Sequence, residues 1–538
     1  MTQTIPTSPA HVGILDSPGL FNTDFIARNA KYFGKKDAVV CNDQRRSWAE
    51  FHLRTNQVAN ALLTLGLNKG DKVCIIGKNS ISMFEMCWGT IKAGGVIVPL
   101  NVMMSSDTLA LMINNSDARL LFVDSETRQQ VEAVRHQLQH IEPGGAFAFD
   151  GLAEGWSSAE QLIENAPNRD PDVTHQMSEP MNIIYSSGTT GIPKGIEHTH
   201  FSRLAFSMGY GQELLVDKYT RTLCSTPLYT NGTWLTMLPT IYSGGTCVLM
   251  SGFDAETFLE TVARERCTHT FMVPTQAIKL IAASRQEKSL NLSSMQVILS
   301  GGQALPGQTF DDLLETFPNA GIYECYGMTE GFYFCIGPKD YEKGKRGSVG
   351  VPIFGADICI IDENGSEVPR GEFGEIAGYG AGLMRGYYND AERTKDIVWI
   401  GPKGRTYIRS GDLGRMDEDG FLYVTGRIKD MIKSGGINIF ASDIEDIFMR
   451  HPQVREVAVI GVPHEKWIET PLLLAIMHEG ATISEAELCL WGNERLGKFQ
   501  RVSRVEFRQD FPRANYGKVL KRELRDEYRK QQATASES

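Results

Sequence analysis

YSSGTTGIPKG, residues 185–195, is the stretch whose reading decides the fold. Ahead of it, Asn182-Ile183-Ile184-Tyr185 reads as a short buried strand. Behind it the chain runs into Ile196-Glu197-His198-Thr199-His200. The ten residues from Ser186 to Gly195 carry three glycines, four hydroxyls, one proline and one lysine. Glycines let a backbone approach a ligand closely. Successive N–H groups, hydroxyls and an ammonium together form a nest for a polyanion. A nucleotide phosphate suits such a loop. It is not a Walker A loop, which needs Gly-Lys followed at once by Ser or Thr. Here Lys194 precedes Gly195, so the chemistry need not be γ-phosphoryl transfer.

A chain of 538 residues holds more than one domain. Its net charge of −11 argues against nucleic acid or an anionic membrane as partner, so any phosphate must be held by local groups. The ten cysteines stand singly, with no CxxC or Cys/His metal spacing. They read as small buried hydrophobes in a reducing, cytoplasmic setting. The start, MTQTIPTSPAHVG, lacks the basic and apolar regions of a signal peptide. No apolar run reaches membrane-spanning length.

Short apolar strands alternate with helices on both sides of the loop. Strands are predicted at 73–77, 95–99, 120–123, 246–250, 270–273 and 296–300, and helices over 48–65 and 83–93. This alternation implies a mostly parallel sheet covered on both faces. The strand at 296–300 ends in Gly301-Gly302, followed by Gln303, where open α/β sheets place ligands and where backbone can lie against a flat base. Next comes Tyr323-Glu324-Cys325-Tyr326-Gly327-Met328-Thr329-Glu330. In it Tyr326 can stack on adenine, and Glu330, beside Thr329, can hold Mg²⁺ that bridges phosphates. From about 346 to 425, glycine-rich turns punctuate short strands, as in a small antiparallel β subdomain. There Asp412 follows a tight turn, placed to accept two ribose hydroxyls. Further on, Ser442-Asp443-Ile444-Glu445 has the form of a capping box.

Four segments in this order, YSSGTTGIPKG, YGMTE, GRIKDMIKSGG (426–436) and PRANYGKVLKR (512–522), resemble the signatures of the acyl-adenylate-forming enzymes. That superfamily includes acyl- and aryl-CoA ligases, peptide-synthetase adenylation domains and beetle luciferases. The match favours the acyl-CoA and aryl-CoA ligase branch. The resemblance implies an α/β fold. A large N-terminal domain of α/β sheet subdomains, with a small β-barrel-like subdomain, spans 1–428. A small, mobile α+β C-terminal domain spans 429–530. Residues 531–538 read as a disordered tail.

By the same resemblance, ATP binds Mg²⁺ and lies on Ser186, Ser187, Gly188, Thr189, Thr190 and Lys194, with Gly301, Gly302, Gln303, Tyr326, Gly327, Thr329, Asp412 and Arg427 around the nucleoside. Lys518, Glu330 and Thr190 are the expected catalytic groups, Lys429 the hinge, and Ser434, Gly435 and Gly436 the path of coenzyme A. A carboxylic acid is adenylated with loss of pyrophosphate and then passed to the thiol. The acyl pocket is expected at Tyr229, Thr230, Gly232, Trp234, Gly331 and Phe332. It is apolar and has no carboxylate to meet an amino acid's ammonium, which points to an aromatic, cyclic or medium-to-long-chain acid. A separate acyl carrier protein is the alternative acceptor, and the sequence leaves a homodimer open. Thr230 stands where many relatives have His, Ala514 where Thr is common, and Ile437 where Glu is common.

Overall fold

The computed structural model describes residues 22–149, 154–186, 193–286, 289–434, 437–513 and 519–537. The chain forms two compact units. One comprises Met1–Ile184 with Gly195–Gly252, the other Tyr185–Lys194 with Phe253–Ser538. The boundary expected at 428/429 therefore runs inside the second unit.

In the first unit, strands lie in the order Lys194–Thr199, Pro180–Ser186, Val96–Leu100, Lys72–Ile76, Ala118–Val123, Ala146–Ala148 and Ser157–Ser158. Lys72–Ile76 pairs in parallel with both neighbours. Four further strands of this unit run in the order Arg221–Cys224, Thr246–Leu249, Asp37–Cys41 and Gln44–Ser47. The central strands Lys72–Ile76, Val96–Leu100, Ala118–Val123 and Thr246–Leu249 are almost wholly buried, as parallel strands covered on both faces are, whereas the edge strand Gln44–Ser47 is polar. The helix Trp48–Thr64 starts on a true capping box: the Glu50 N–H donates to Ser47 Oγ and the Ser47 N–H to the Glu50 carboxylate. Its Phe51, Val58 and Leu62 are fully buried, as their helical spacing predicts.

The second unit carries the sheet order Val351–Pro352, Tyr333–Ile336, Gly321–Gly327, Val297–Gly301 and His269–Met272. The last three are parallel, and the chain then turns antiparallel. An antiparallel sheet of Ala356–Ile361, Gly374–Gly380, Thr406–Met416, Val398–Ile400 and Leu422–Arg427 follows. The C-terminal sheet is built on the long hairpin Val454–His464 and Ile468–Met477.

Two local expectations differ from the structure. The helix Ala441–Phe448 is N-capped by Phe440, with no side-chain cap. Ser442 Oγ donates instead to the Thr425 carbonyl, and Glu445 accepts the Val459 N–H and pairs with Lys521. Tertiary partners have taken both groups of the supposed box. The final helix, Lys521–Glu537, also runs through the stretch composition reads as a disordered tail. Leu524 and Tyr528 bury its first turns against Ile460, Leu472 and Phe511, and the helix propagates from there. Among the described residues, no helix is long and apolar enough to cross a membrane.

One buried charge makes the first unit's stability depend on pH. Lys92, ending the helix Ile81–Lys92, is 5% exposed. Its Nζ donates to Asn56 Oδ1 at 2.7 Å and lies 3.1 Å from His52 Nδ1. Burial pushes the ammonium down to about 7, against the opposing pull of Asp170. The unfolded chain then binds more protons between that value and the ordinary lysine value of about 10.4. Stability should rise with pH across this window and be lost again as pH falls through 7. Denaturant unfolding of wild type and Lys92→Met at pH 7 to 10 should show a steeper rise in wild type, because the variant keeps only the smaller contribution of Lys36, which burial lowers to about 8. Parallel profiles would contradict the assignment.

Candidate active site

The strand Pro180–Ser186 delivers the chain into the glycine-rich loop and Lys194 takes it out. Ser187, Gly188, Thr189 and Thr190 lie outside the described residues, as do Gly435, Gly436 and Lys518. At the loop's near edge, Ser186 Oγ is buried and has no hydrogen-bond partner among the described residues. A buried hydroxyl is rarely left so. At the far edge, Lys194 Nζ lies 2.6 Å from Glu330 Oε1 and 2.7 Å from Tyr387 Oη. Tyr387 Oη in turn donates to Glu330 Oε1 at 2.7 Å. Glu330 is 4% exposed. The expected phosphate lysine and the expected metal carboxylate are thus in direct contact.

Four residues upstream of Glu330, Tyr326 Oη donates to Asp412 Oδ2 at 2.7 Å. Arg427 Nε meets the other oxygen, Oδ1, at 2.7 Å, and its Nη1 donates to the Ser410 carbonyl at 3.0 Å. Burial first, and the Asp412 charge second, push the Tyr326 phenol well above its usual value. Asp412 does not follow a turn. It sits inside the eleven-residue strand Thr406–Met416, directly across from Arg427. Gly411, with φ +71°, supplies the local irregularity. Glu375 braces the same point by accepting the Gly411 N–H at 3.0 Å and the Arg409 Nε–H at 2.8 Å.

The glycines have different reasons for being glycine. A Cβ on Gly301 would lie 2.5 Å from Cys325 Sγ, and one on Gly327 2.5 Å from the Phe332 carbonyl, so both permit close strand packing. Gly302 is exposed, with φ +87° and only Val273 within 4 Å. Such an open, left-handed position favours glycine through its backbone rather than through packing. Glu324 steadies the turn beyond Gln303, accepting the Leu305 N–H at 3.1 Å and the Tyr341 hydroxyl at 3.0 Å. Thr329 lies half-buried in the turn before Glu330.

The residues expected to line the acyl pocket divide between the units. In the first, the helix Asn231–Ser243 begins just after Tyr229 and Thr230 and contains Gly232 and Trp234. Thr230 and Thr233 both donate to the Pro227 carbonyl at 2.6 Å, and Trp234 Nε1 donates to the Leu228 carbonyl at 2.8 Å. The threonine in the place of a family histidine therefore shapes the turn. In the second unit, Gly331 has φ +121°, and a Cβ there would lie 2.2 Å from the Gly382 carbonyl. Phe332 is fully buried among Phe334, Ile376 and Ile408, beneath Gly378. That core accounts for its aromatic ring without a ligand.

Lys429 occupies a short 3₁₀ turn, Ile428–Asp430, and Asp430 pairs with Arg525 of the final helix at 2.8 Å. Ser434 ends the strand Ile432–Ser434 and pairs with Ile468. Sequence reasoning missed Tyr387, Glu375 and Glu324. Tyr387 was visible only as part of Gly386-Tyr387-Tyr388 in a β stretch, 57 residues beyond its partner Glu330, and no periodicity links the two.

Comparison with known proteins identifies the family. The family profile described as "AMP-binding enzyme" matches residues 26–388, and that of the "AMP-binding enzyme C-terminal domain" matches 443–518. A feruloyl-CoA synthase of Amycolatopsis sp is 32% identical over 502 residues, covering 93% of this chain and 97% of that protein. An indoleacetate–CoA ligase of Aromatoleum aromaticum is 30% identical, covering 94% and 97%. Among solved structures, ATP-bound MatB from Rhodopseudomonas palustris superposes with a TM-score of 0.83 at 28% identity, covering 94% and 99%. On these matches the chain belongs to the AMP-binding enzyme family, in its branch of acyl- and aryl-CoA ligases.

Proposed function

We propose that this AMP-forming acid–CoA ligase activates a hydrophobic carboxylic acid, with aromatic acids first among the aromatic, cyclic and medium-to-long-chain candidates. The two relatives named above are called ligases of aromatic acids, which supports that order. The observation that carries the nucleotide half of the reading is the meeting of Lys194 and Glu330 four residues from the Tyr326–Asp412–Arg427 cluster.

A carboxylate is a poor acyl donor because its leaving group would be oxide. Attack of its oxygen on the α-phosphorus of ATP breaks the bond to the β-phosphate bridge, forms the acyl-adenylate and expels pyrophosphate. A thiolate then adds to the acyl carbon and AMP leaves. Asp412 takes the ribose hydroxyls and Arg427 holds both Asp412 and the nucleotide. Tyr326, its hydroxyl committed to Asp412, offers its ring to adenine. Ser186, Ser187, Thr189, Thr190 and Lys194 hold the outgoing phosphates. Glu330 fits a Mg²⁺ ion. It is a single buried carboxylate, and no group of three or more His, Cys, Asp or Glu gathers among the described residues. Bound there, such an ion would draw its remaining ligands from outside the protein, as Mg²⁺ commonly does, and would supply positive charge against the departing pyrophosphate.

Lys518 brings the cation that two anions need when they meet. The thioester step follows rotation about Lys429, which withdraws Lys518 and presents Ser434, Gly435 and Gly436 to the pantetheine arm.

Two variants test these roles. Lys518→Ala should slow acid-dependent ATP–pyrophosphate exchange by at least about 10²–10³, the usual loss for one preorganised charge-stabilising donor. It should still make thioester from supplied acyl-adenylate, and equal loss of both half-reactions would sink the assignment. Asp412→Asn should raise KM for ATP about tenfold or more, since bonds to a charged group contribute roughly 1.5–3 kcal/mol. The acid's KM should hardly move, and a change confined to the acid would place Asp412 elsewhere.

A further inference from the structure

Tyr387 belongs to none of the four signatures, yet its hydroxyl touches both charged groups at the heart of the site. Three contacts close a ring: Lys194 Nζ to Glu330 Oε1 at 2.6 Å, Lys194 Nζ to Tyr387 Oη at 2.7 Å, and Tyr387 Oη to Glu330 Oε1 at 2.7 Å. The ammonium also lies 4.5 Å from the centre of the Tyr387 ring. A phenol, with an ordinary value of about 10, keeps its proton at neutral pH. It therefore donates to Glu330 while accepting from Lys194.

The ring's position is set by the fold. The Tyr387 N–H donates to Thr394 Oγ1 at 2.9 Å, and Asp390 caps the helix Ala391–Asp396 just beyond. On the other side, the Met384 N–H donates to the Glu330 carbonyl at 2.8 Å. Tyr387 is 5% exposed.

The geometry points to Tyr387 as the positioning residue that lets Lys194 and Glu330 part when a metal–nucleotide complex binds. This rests on the reading of Lys194 as a phosphate ligand and Glu330 as a metal ligand. A divalent cation on the Glu330 carboxylate repels an ammonium 2.6 Å from the same oxygen, so Lys194 has to give way. Tyr387 offers that ammonium a phenol oxygen and a π face that do not depend on Glu330. Its O–H meanwhile stays on Glu330 Oε1 and fixes the carboxylate's orientation. No proton changes hands. The hydroxyl should therefore matter with the metal present and matter little without it.

Calorimetric titration of the full-length protein with ATP, in excess Mg²⁺ and in EDTA, separates the two conditions. Tyr387→Phe keeps the ring and its volume. Its affinity for ATP in Mg²⁺ should fall about 10-fold or more, the usual effect of removing an outer partner of a metal ligand, while that in EDTA moves by less than about 3-fold. Tyr387→Leu removes the π face too and should weaken binding under both conditions. Equal losses in Mg²⁺ and EDTA for Tyr387→Phe, or no loss in either, overturn the inference while leaving the nucleotide reading intact. Wild type that binds ATP under neither condition overturns that reading and the inference with it.

Discussion

Two buried carboxylates, Glu330 and Asp412, set what the surrounding unit must provide. A charge taken out of water needs partners of opposite sign and further hydrogen bonds. Each carboxylate has received one cation and one tyrosine: Lys194 and Tyr387 for Glu330, Arg427 and Tyr326 for Asp412. Stability alone does not call for this, because well-packed apolar residues of similar volume often serve as well or better. The arrangement makes sense if the charges are kept to be shared with a ligand. Much of the local architecture follows from supporting them. The register of Thr406–Met416 against Leu422–Arg427 sets Asp412 opposite Arg427. Gly331, which cannot carry a Cβ, lets the segment after Gly380 close over Glu330.

The sequence was legible where chemistry and backbone coincide in a short run. The loop at 185–195 combines hydroxyls, glycines and a lysine within eleven residues, and Tyr326, Glu330, Asp412 and Arg427 stand in compact signatures. The alternation of apolar strands and helices was equally open, because period and burial are local properties. The fold class and family read from them agree with the structure and with the known relatives.

What stayed hidden depends on partners far apart in the chain. Ser442 and Glu445 have the spacing of a capping box, yet Thr425, Val459 and Lys521 claim them. Thr230 reads as the loss of a histidine, while its hydroxyl completes a turn with the Pro227 carbonyl. Phe332 reads as a pocket wall and packs as core. Tyr387 carries no local mark that points to Glu330. The final helix shows the same dependence. Its end, from 531 on, has the composition of a solvated tail, but Leu524, Tyr528 and the Arg525–Asp430 pair anchor its earlier turns beside the proposed hinge. A rotation about Lys429 would carry that helix along as part of one body, because Asp430 and Lys521 fasten both of its neighbours.

The central claim is that these paired charges serve the adenylation of a hydrophobic acid and its transfer to coenzyme A. The most direct measurement is AMP release from ATP over a panel of aromatic, cyclic, medium- and long-chain acids with acetate and amino acids beside them, with and without coenzyme A, and mass spectrometry of the products. The account predicts AMP and an acyl-CoA ester in equal amounts from one class of apolar acid. Turnover confined to amino acids or acetate, or AMP formed with no CoA ester from any acid, would contradict it.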